Sequence, residues 1–465
     1  MGLNFFSQQN QDVIEGAKLG LKSSGNVLNI KADGGCSSIG GALGCGPRGR
    51  GFEPLHPPSF HSGVPMKALN TFPKVVLKPE KERPVLLGSP WIFSGAIGDI
   101  RGSIEAGCMV EVRDSSQDFL AWGYYNPDSQ IAIRVLSRAP EEFPNEDLVK
   151  KRIEDAIGTR FQHFDSQFTD IMRLVNSEGD FLPGLVVDRY GRTLVVQILT
   201  RGMERFREVV INTLLEILHP STIWERSDSS VRKKEGLEPK TELLWGDDRH
   251  ICTAKENGNL FVVDVRTGQK TGFYIDQREN RREVQRYCRG ATVLNCFAYT
   301  GAFSVYAHRG GARHITNVEF SPSAMELLNE NSALNQIPGS KQENILGDAF
   351  EVLRELRKKG AQFDLVIVDP PKFAHSQAQL KQALKGYKDI NLQALHLIKR
   401  GGMLATFSCS GAVTMELFSK AVLWAAMDAR REMKVLKRLG QPLDHPFVLG
   451  LPESEYLKGL LIKVL

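Results

Sequence analysis

The chain has few of the residues that mark secreted, metal-bound or membrane-spanning proteins. Its seven cysteines among 465 residues are odd in number and scattered, and they show no CxxC or Cys/His spacing, so neither a disulfide framework nor a metal site is indicated. A reducing compartment follows. No apolar run approaches the ~20 residues a membrane helix needs, so a soluble chain without a membrane partner is expected. No block of one charge sign dominates either. The net charge of +5 is small and acids and bases interleave, so composition alone says little for a nucleic-acid partner. Two local basic clusters, Arg278/Arg281/Arg282/Arg286/Arg289 and Arg430/Arg431/Lys434/Lys437/Arg438, read as solvated helix faces.

Acids and any sustained hydrophobic period are also scarce in residues 1–72, which are rich in Gly, Ser, Asn and Pro. Such a segment cannot bury enough apolar surface to offset its ordering entropy, so a disordered or targeting extension is expected there. A prior of ~150 residues per domain gives the chain two to four domains. Residues 73–140 carry five short strand-like runs (Val75–Leu77, Trp91–Phe93, Met109–Val112, Phe119–Gly123 and Ile131–Val135) with turn residues between them, which is the pattern of a small barrel. Trp91 and Phe93 are expected in its core. Residues 146–250 mix a charged helix from Asp147, a hairpin about Gly191 and a second helix from Glu204 to Leu218, an α+β module. From 260 to 465 strands alternate with helices. Strands are expected near 293–297, 315–319, 344–346, 364–369, 402–408, 434–438 and 457–464, a parallel sheet with helices on both faces.

Within that last stretch, Val293-Leu294-Asn295-Cys296-Phe297-Ala298-Tyr299-Thr300-Gly301-Ala302-Phe303 reads as strand, tight turn and helix start, followed by a second strand ending in Val318-Glu319. A Gly turn of this kind lets a ligand approach backbone N–H groups, and an acid ending the next strand can take both hydroxyls of a ribose. The loop has one Gly where a dinucleotide fingerprint has three, so nothing asks for a pyrophosphate; S-adenosylmethionine (SAM), with a ribose and no phosphate, fits. Taken alone, the same residues also suit any doubly wound domain with an incidental acid. Asp348 follows the third strand, where it either accepts from an adenine amino group or caps the next helix. Asp369 ends the fourth strand and is held by Pro370-Pro371, so it can hydrogen-bond the ring nitrogen and amino group of a base. Cys409, in Thr406-Phe407-Ser408-Cys409-Ser410-Gly411, is placed either as a nucleophile whose thiolate is favoured by nearby N–H dipoles or as a small buried hydrophobe.

The motifs V-L-N-C-F-A-Y-T-G-A-F, V-D-P-P-K-F, G-Y-K-D-I-N and T-F-S-C-S-G, with G-Q-K-T-G-F-Y-I-D-Q-R-E-N-R from Gly268, resemble the SAM-dependent 23S rRNA cytosine-C5 methyltransferases that carry an N-terminal PUA domain. Ser89–Ile97 and Gly123–Ser129 resemble the PUA RNA-binding barrel, and R-L-V-N-S-E-G-D-F-L-P-G-L-V-V-D-R-Y from Arg173 and E-R-S-D from Glu225 resemble the family's middle domain. The likeness runs from about residue 73 to the C-terminus. It implies a class I, Rossmann-like α/β methyltransferase domain whose last strand inserts antiparallel. It also implies SAM contacts at Phe297, Tyr299, Gly301, Glu319 and Asp348, with Gln269, Thr271, Phe273, Asp276 and Gln277 closing over the cofactor. Asp369 is then the base-recognition residue and Cys409 the nucleophile. The partner implied is rRNA, of the large subunit, with a homodimer allowed. The compartment implied is the cytoplasm for a bacterial chain, and a chloroplast or mitochondrion if the N-terminal extension is a transit segment.

The chemistry suits those positions. Cytosine C5 is a poor nucleophile, so a thiolate adds to C6, a hydrogen bond at N3 takes up the developing charge, and the enamine attacks the SAM methyl group. No residue is evident for removing the C5 proton, because the position beside Asp369 offers Pro-Pro-Lys. Two other readings remain open from the residues. One is exocyclic N-methylation of an RNA base, with Phe373 stacking on the base and Cys409 structural. The other is a non-catalytic RNA-binding or ribosome-assembly protein on the same fold.

Overall fold

The computed structural model describes residues 72–374 and 376–465. The extension expected over 1–72, and any organellar address in it, lies outside the described residues save for Phe72.

The first sheet has six strands, one more than the sequence suggests, in the spatial order Trp91–Ile92, Ile133–Ser137, Phe119–Tyr125, Met109–Arg113, Lys74–Leu77, Ile97–Arg101. The extra strand, Ile97–Arg101, is mostly exposed and pairs antiparallel with Lys74–Leu77, so it lacks the apolar alternation that would announce it. Val75, Leu77, Ile92, Val110, Val112 and Ile133 form the core of this unit. Phe93 does not join them: the strand stops at Ile92, a 3₁₀ turn follows from Ser94, and the Phe93 side chain is 53% exposed. Trp91 is half-buried and its indole N–H donates to Glu178 Oε1 at 2.8 Å, tying this unit to the next.

The helix Glu146–His163, capped by Asn145 accepting from the Leu148 N–H, packs on a five-stranded sheet ordered Lys240–Gly246, Thr222–Ser227, Thr193–Ile198, Leu185–Tyr190, Ile171–Asn176. The second helix is shorter than the sequence implies, Arg207–Leu218, because a separate turn at Arg201–Glu204 precedes it. A two-stranded hairpin, Ile251–Glu256 with Asn259–Asp264, then shares one core with Ile171, Val195, Phe273, Ala302 and Val305, so it seats the middle unit on the last one.

The last sheet has seven strands, numbered here within the sheet: β1 Thr292–Cys296, β2 His314–Glu319, β3 Gln342–Leu346, β4 Phe363–Val368, β5 Ile398–Ser408, β6 Met433–Leu439 and β7 Lys458–Val464. Their order is β3-β2-β1-β4-β5-β7-β6, and β7 runs antiparallel between β5 and β6, as the class I methyltransferase fold requires. Strands β1, β4 and β5 are near-continuous buried runs because helices cover both faces. Strand order reverses between β1 and β4, so the crevice beyond their carboxyl ends is where a ligand is received.

Candidate active site

Four of the strands that end at that crevice deliver the acids and the thiol. After β1 the chain turns sharply, with Phe297 at φ +60°, Tyr299 at +47° and Gly301 at +79°. Left-handed backbone at two bulky residues costs roughly 1–3 kcal/mol each and is kept where surrounding contacts impose it. Those contacts are visible. Glu319, at the end of β2, accepts the Tyr299 N–H at 2.6 Å on Oε2 and the Ser321 N–H at 2.9 Å on Oε1, which fixes its carboxylate at the mouth of the turn. Gly301 lies under the turn: a Cβ there would come within 2.7 Å of Leu328 Cγ. Asp348 caps the helix Ala349–Lys358, accepting the Phe350 N–H at 2.8 Å and the Glu351 N–H at 3.2 Å, both on Oδ1.

Glu319, Asp348, Asp369 and Cys409 line one cavity of about 480 Å³, together with Phe297, Tyr299, Gln269, Phe273, Asp276 and Gln277. That size is ordinary for a cofactor site. Two of the residues expected at the cofactor are absent from the cavity wall. Gly301 acts by letting the loop close on Leu328, and Thr271 points away, its hydroxyl donating to Asp188 Oδ2 at 2.6 Å and sharing a 2.7 Å bond with Tyr190. Thr271 therefore fastens the upstream loop to the middle unit. The cavity lining also contains Lys270, Tyr274 and Tyr456, which sequence reasoning passed over although Lys270 and Tyr274 sit inside the quoted Gly268 motif. Phe273 forms part of the wall while stacking on Phe261 at 5.0 Å. Tyr274 and Tyr299 meet edge-to-face at 5.2 Å, and the Tyr299 hydroxyl accepts the Gln269 N–H at 2.9 Å.

The electrostatics rest on a pair of acids and one lysine. Burial opposes the charge of Asp276, but the Lys270 ammonium, His445 and a 2.7 Å hydrogen bond from Tyr456 hold its carboxyl well below the usual range. Burial and the Asp276 charge together push Asp369 up to about 7, against the pull of Lys270 and of the Gln277 amide, which donates to Asp369 Oδ2 at 2.9 Å. Near neutrality Asp369 is therefore divided between carboxylate and carboxylic acid. Cys409 differs from the sequence expectation. Its thiol is pushed up from an ordinary value of 9.0, first by burial and then by Asp369 and Asp276, with Lys270 pulling the other way. The N–H dipoles of the turn do not outweigh the loss of water around the sulfur.

The loops that carry these two residues are tied together from below. Tyr387, buried in the G-Y-K-D-I-N segment, accepts from the Ser408 hydroxyl at 2.8 Å and shares a 3.0 Å hydrogen bond with Ser410, on either side of Cys409. Ser410 Oγ in turn accepts the N–H groups of Phe373 and Ala374, each at 3.2 Å, from the loop that follows Asp369. Lys458 Nζ donates to the Ser410 carbonyl at 2.8 Å, and burial pulls that ammonium down to about 8. Phe373 packs on Tyr387 at 4.7 Å and is absent from the cavity wall.

The residues present fit SAM. The cavity wall contains two buried polar atoms with no protein partner, Asp276 Oδ1 and Thr300 Oγ1, beside the ordered carboxylate of Glu319 and the apolar ring of Phe297. No groups of three or more His, Cys, Asp or Glu gather in a way that could hold a metal among the described residues, and no helix there is long and apolar enough to cross a membrane.

Comparison with known proteins identifies the domains. Residues 75–138 match the family described as a PUA-like domain, and residues 187–462 match the S-adenosylmethionine-dependent methyltransferases. Proteins named ribosomal RNA large subunit methyltransferase I are similar over most of the chain. The one from Alteromonas mediterranea is 41% identical, covering 84% of this chain and 98% of that protein, and the one from Tolumonas auensis is 43% identical, covering 84% and 99%. Among solved structures, a protein described as a methyltransferase and complexed with SAH superposes with a TM-score of 0.74 at 22% identity, covering 84% of this chain and 99% of that one, which bears on the fold.

Proposed function

Since the chain belongs to the S-adenosylmethionine-dependent methyltransferases, in the PUA-containing family of ribosomal RNA large subunit methyltransferase I, we propose that it methylates C5 of a cytosine in large-subunit rRNA, with Cys409 as nucleophile and Asp369 at the base. The observation that carries this reading is the meeting of Asp369 and Cys409 in the wall of the cavity that Glu319 and Asp348 also line.

Each residue has a defined task. The Cys409 sulfur forms a bond to C6 as the C5–C6 double bond opens. Asp369, in its protonated form, donates to N3, so the electron pair displaced by the sulfur is neutralised on the ring rather than left as an anion in a buried site. When bound, SAM supplies the methyl group that C5 takes up. The C5 proton then leaves to water or to another group of the cavity, since Pro370 and Pro371 offer no base; the S–C6 bond breaks to return the thiolate as the C5–C6 double bond re-forms, and N3 gives its proton back to Asp369. Glu319 is placed to accept the ribose hydroxyls, Asp348 the adenine amino group through its uncapped oxygen, and Gln277 keeps Asp369 turned toward the base. Exocyclic N-methylation needs Phe373 against the base, yet its ring is engaged by Tyr387 outside the cavity wall.

The test is transfer of labelled methyl from SAM into large-subunit rRNA transcribed in vitro, by wild type and Cys409→Ala, with products identified by nucleoside mass spectrometry. 5-Methylcytidine from wild type and none from the variant is the expected result. An N-methylated product, or undiminished activity of the variant, sinks the C5 assignment.

A further inference from the structure

The sheet has a second concavity at its other end. A groove of about 800 Å³ runs across the amino ends of the parallel strands, lined by Arg289 before β1, Arg313 before β2, Asp364 in β4, Lys399 in β5 and Lys463 in β7. Four cations face one acid, and that acid is already engaged: Asp364 accepts from Lys399 Nζ at 2.8 Å and from the Thr292 N–H and hydroxyl at 2.8 and 2.7 Å. The side chains of Arg289, Arg313 and Lys463 have no ion-pair or hydrogen-bond partner among the described residues. Of the two basic clusters noted in the sequence, Arg289 of the first lines the groove. Glu283 pairs with Arg286 at 3.2 Å and with Lys437 of β6 at 2.9 Å, holding together segments some 150 positions apart, and Leu436, the neighbour of Lys437, lines the groove.

We propose that this groove is a second RNA-backbone site, distinct from the catalytic cavity, that binds phosphates of the substrate rRNA; the choice of RNA rests on the function proposed above. Unpaired cations around a concave surface cost folding stability through mutual repulsion and gain nothing unless a polyanion neutralises them. Guanidinium groups at Arg289 and Arg313 suit phosphate oxygens, which they can grip with two parallel hydrogen bonds. The strand between groove and crevice is the five-residue β1, about 17 Å long. A folded rRNA can span that distance, so one segment presents the target base while a neighbouring segment lies in the groove. No base-reading group is needed, and the site contributes affinity and register rather than sequence choice.

The experiment compares the full chain with an Arg289→Gln/Arg313→Gln/Lys463→Gln variant, measuring filter binding of in vitro transcribed large-subunit rRNA between 50 and 200 mM KCl. Each phosphate contact contributes roughly 0.7–0.9 to the slope of log affinity against log salt, so wild type is expected to lose about 30-fold more affinity over this fourfold range than the variant. The variant should need more RNA for half-maximal methyl transfer while keeping wild-type turnover at saturation. Equal salt slopes overturn the proposal, as does competition by polyglutamate as effective as by RNA. If the triple variant fails to fold, the Arg289→Gln/Arg313→Gln pair, both in exposed turns, should still separate the curves by about 10-fold. A slope difference in a protein that makes no 5-methylcytidine leaves the groove standing while the function falls.

Discussion

Replacing Asp369 by Asn removes the titration while keeping the shape and one hydrogen-bonding edge, and two consequences follow. Burial and Asp276 raise this carboxyl from 3.8 to about 7, so the folded protein binds a proton that the unfolded chain has released. A group raised in the folded state gives its full stability below its unfolded pKa, and that stability drains away as pH rises through the folded value. Wild type therefore loses stability between about pH 4 and 7, by up to about 4 kcal/mol, and Asn does not. Between pH 5 and pH 8 the advantage of the variant should grow by about 3 kcal/mol in urea unfolding. Activity moves the other way. With Asp369 raised to about 7 and the Cys409 thiol raised from its ordinary value, the pair with thiolate and protonated acid is a minority at every pH. The wild-type rate at saturating substrates should climb tenfold per unit up to pH 7, stay level until the thiol titrates, and fall beyond it. Asp369→Asn should be slower by about 10²–10⁴ and should have no break at pH 7, its rate simply following the thiolate. An unfolding difference that is the same at pH 5 and pH 8, or a variant that keeps the break at pH 7, refutes the assignment of that proton to Asp369.

Three other substitutions probe the same construction. Lys270→Met deletes the cation that pulls both Cys409 and Asp369 down, so both limbs of the pH–rate profile should move to higher pH by about one unit, read in the same assay. Tyr387→Phe keeps the ring contacts with Phe373 and Phe418 but removes the hydroxyl joining Ser408 and Ser410; turnover should drop about tenfold with SAM affinity unchanged by calorimetry. Gly301→Ala puts a methyl 2.7 Å from Leu328 Cγ at φ +79°, and should cost about 1–3 kcal/mol of unfolding free energy along with SAM binding.

Most of the fold was legible because the buried strands of a doubly wound sheet are written as uninterrupted apolar runs between Gly and Pro breaks. Val293–Cys296 and Leu365–Val368 have no polar alternation to confuse with a surface strand, except Asn295, whose amide is buried against Ser304 and Asn317. What failed was local and had local causes. Ile97–Arg101 is an edge strand with little buried surface, and Phe93 follows a strand that is only two residues long. In the sequence the basic cluster from Arg278 reads as a solvated face, yet Arg278 and Arg281 are 0% and 1% exposed, paired with Asp444 at 2.8 Å and with Glu256 at 2.6 Å. Their partners lie 166 positions downstream and 25 upstream, outside any window over which helix periodicity is read, and a charge without its counter-ion in view is naturally assigned to water.

The sequence was enough to expect Asp369 and Cys409 at one cavity, where the structure has them, and not enough to expect their charge state, and the reason is the same. Motif order named Asp369 and Cys409, because strand ends in a parallel sheet come to one edge whatever lies between them. Whether the thiol or the acid holds the proton depends instead on what the fold removes and what it adds. It removes water from both, which raises both. It adds Lys270 and Asp276 from one loop, a cation and an anion locked to each other, so their fields largely cancel at a distance and act separately only on groups close enough to tell them apart. Asp369 is such a group, since Gln277, the neighbour of Asp276, donates to it directly. The upstream loop, expected from its sequence to close over a cofactor, carries the charges that shift Asp369 and Cys409. It is fastened to the middle unit by Thr271 through Asp188 and Tyr190, so the acidity of Asp369 is expected to depend on how that unit is seated. Thr271→Val, which touches nothing in the cavity, should therefore shift the pH 7 break while leaving the level of the plateau within a few-fold; an unaltered profile in a folded variant would mean that Asp276 and Lys270 hold their places without that fastening.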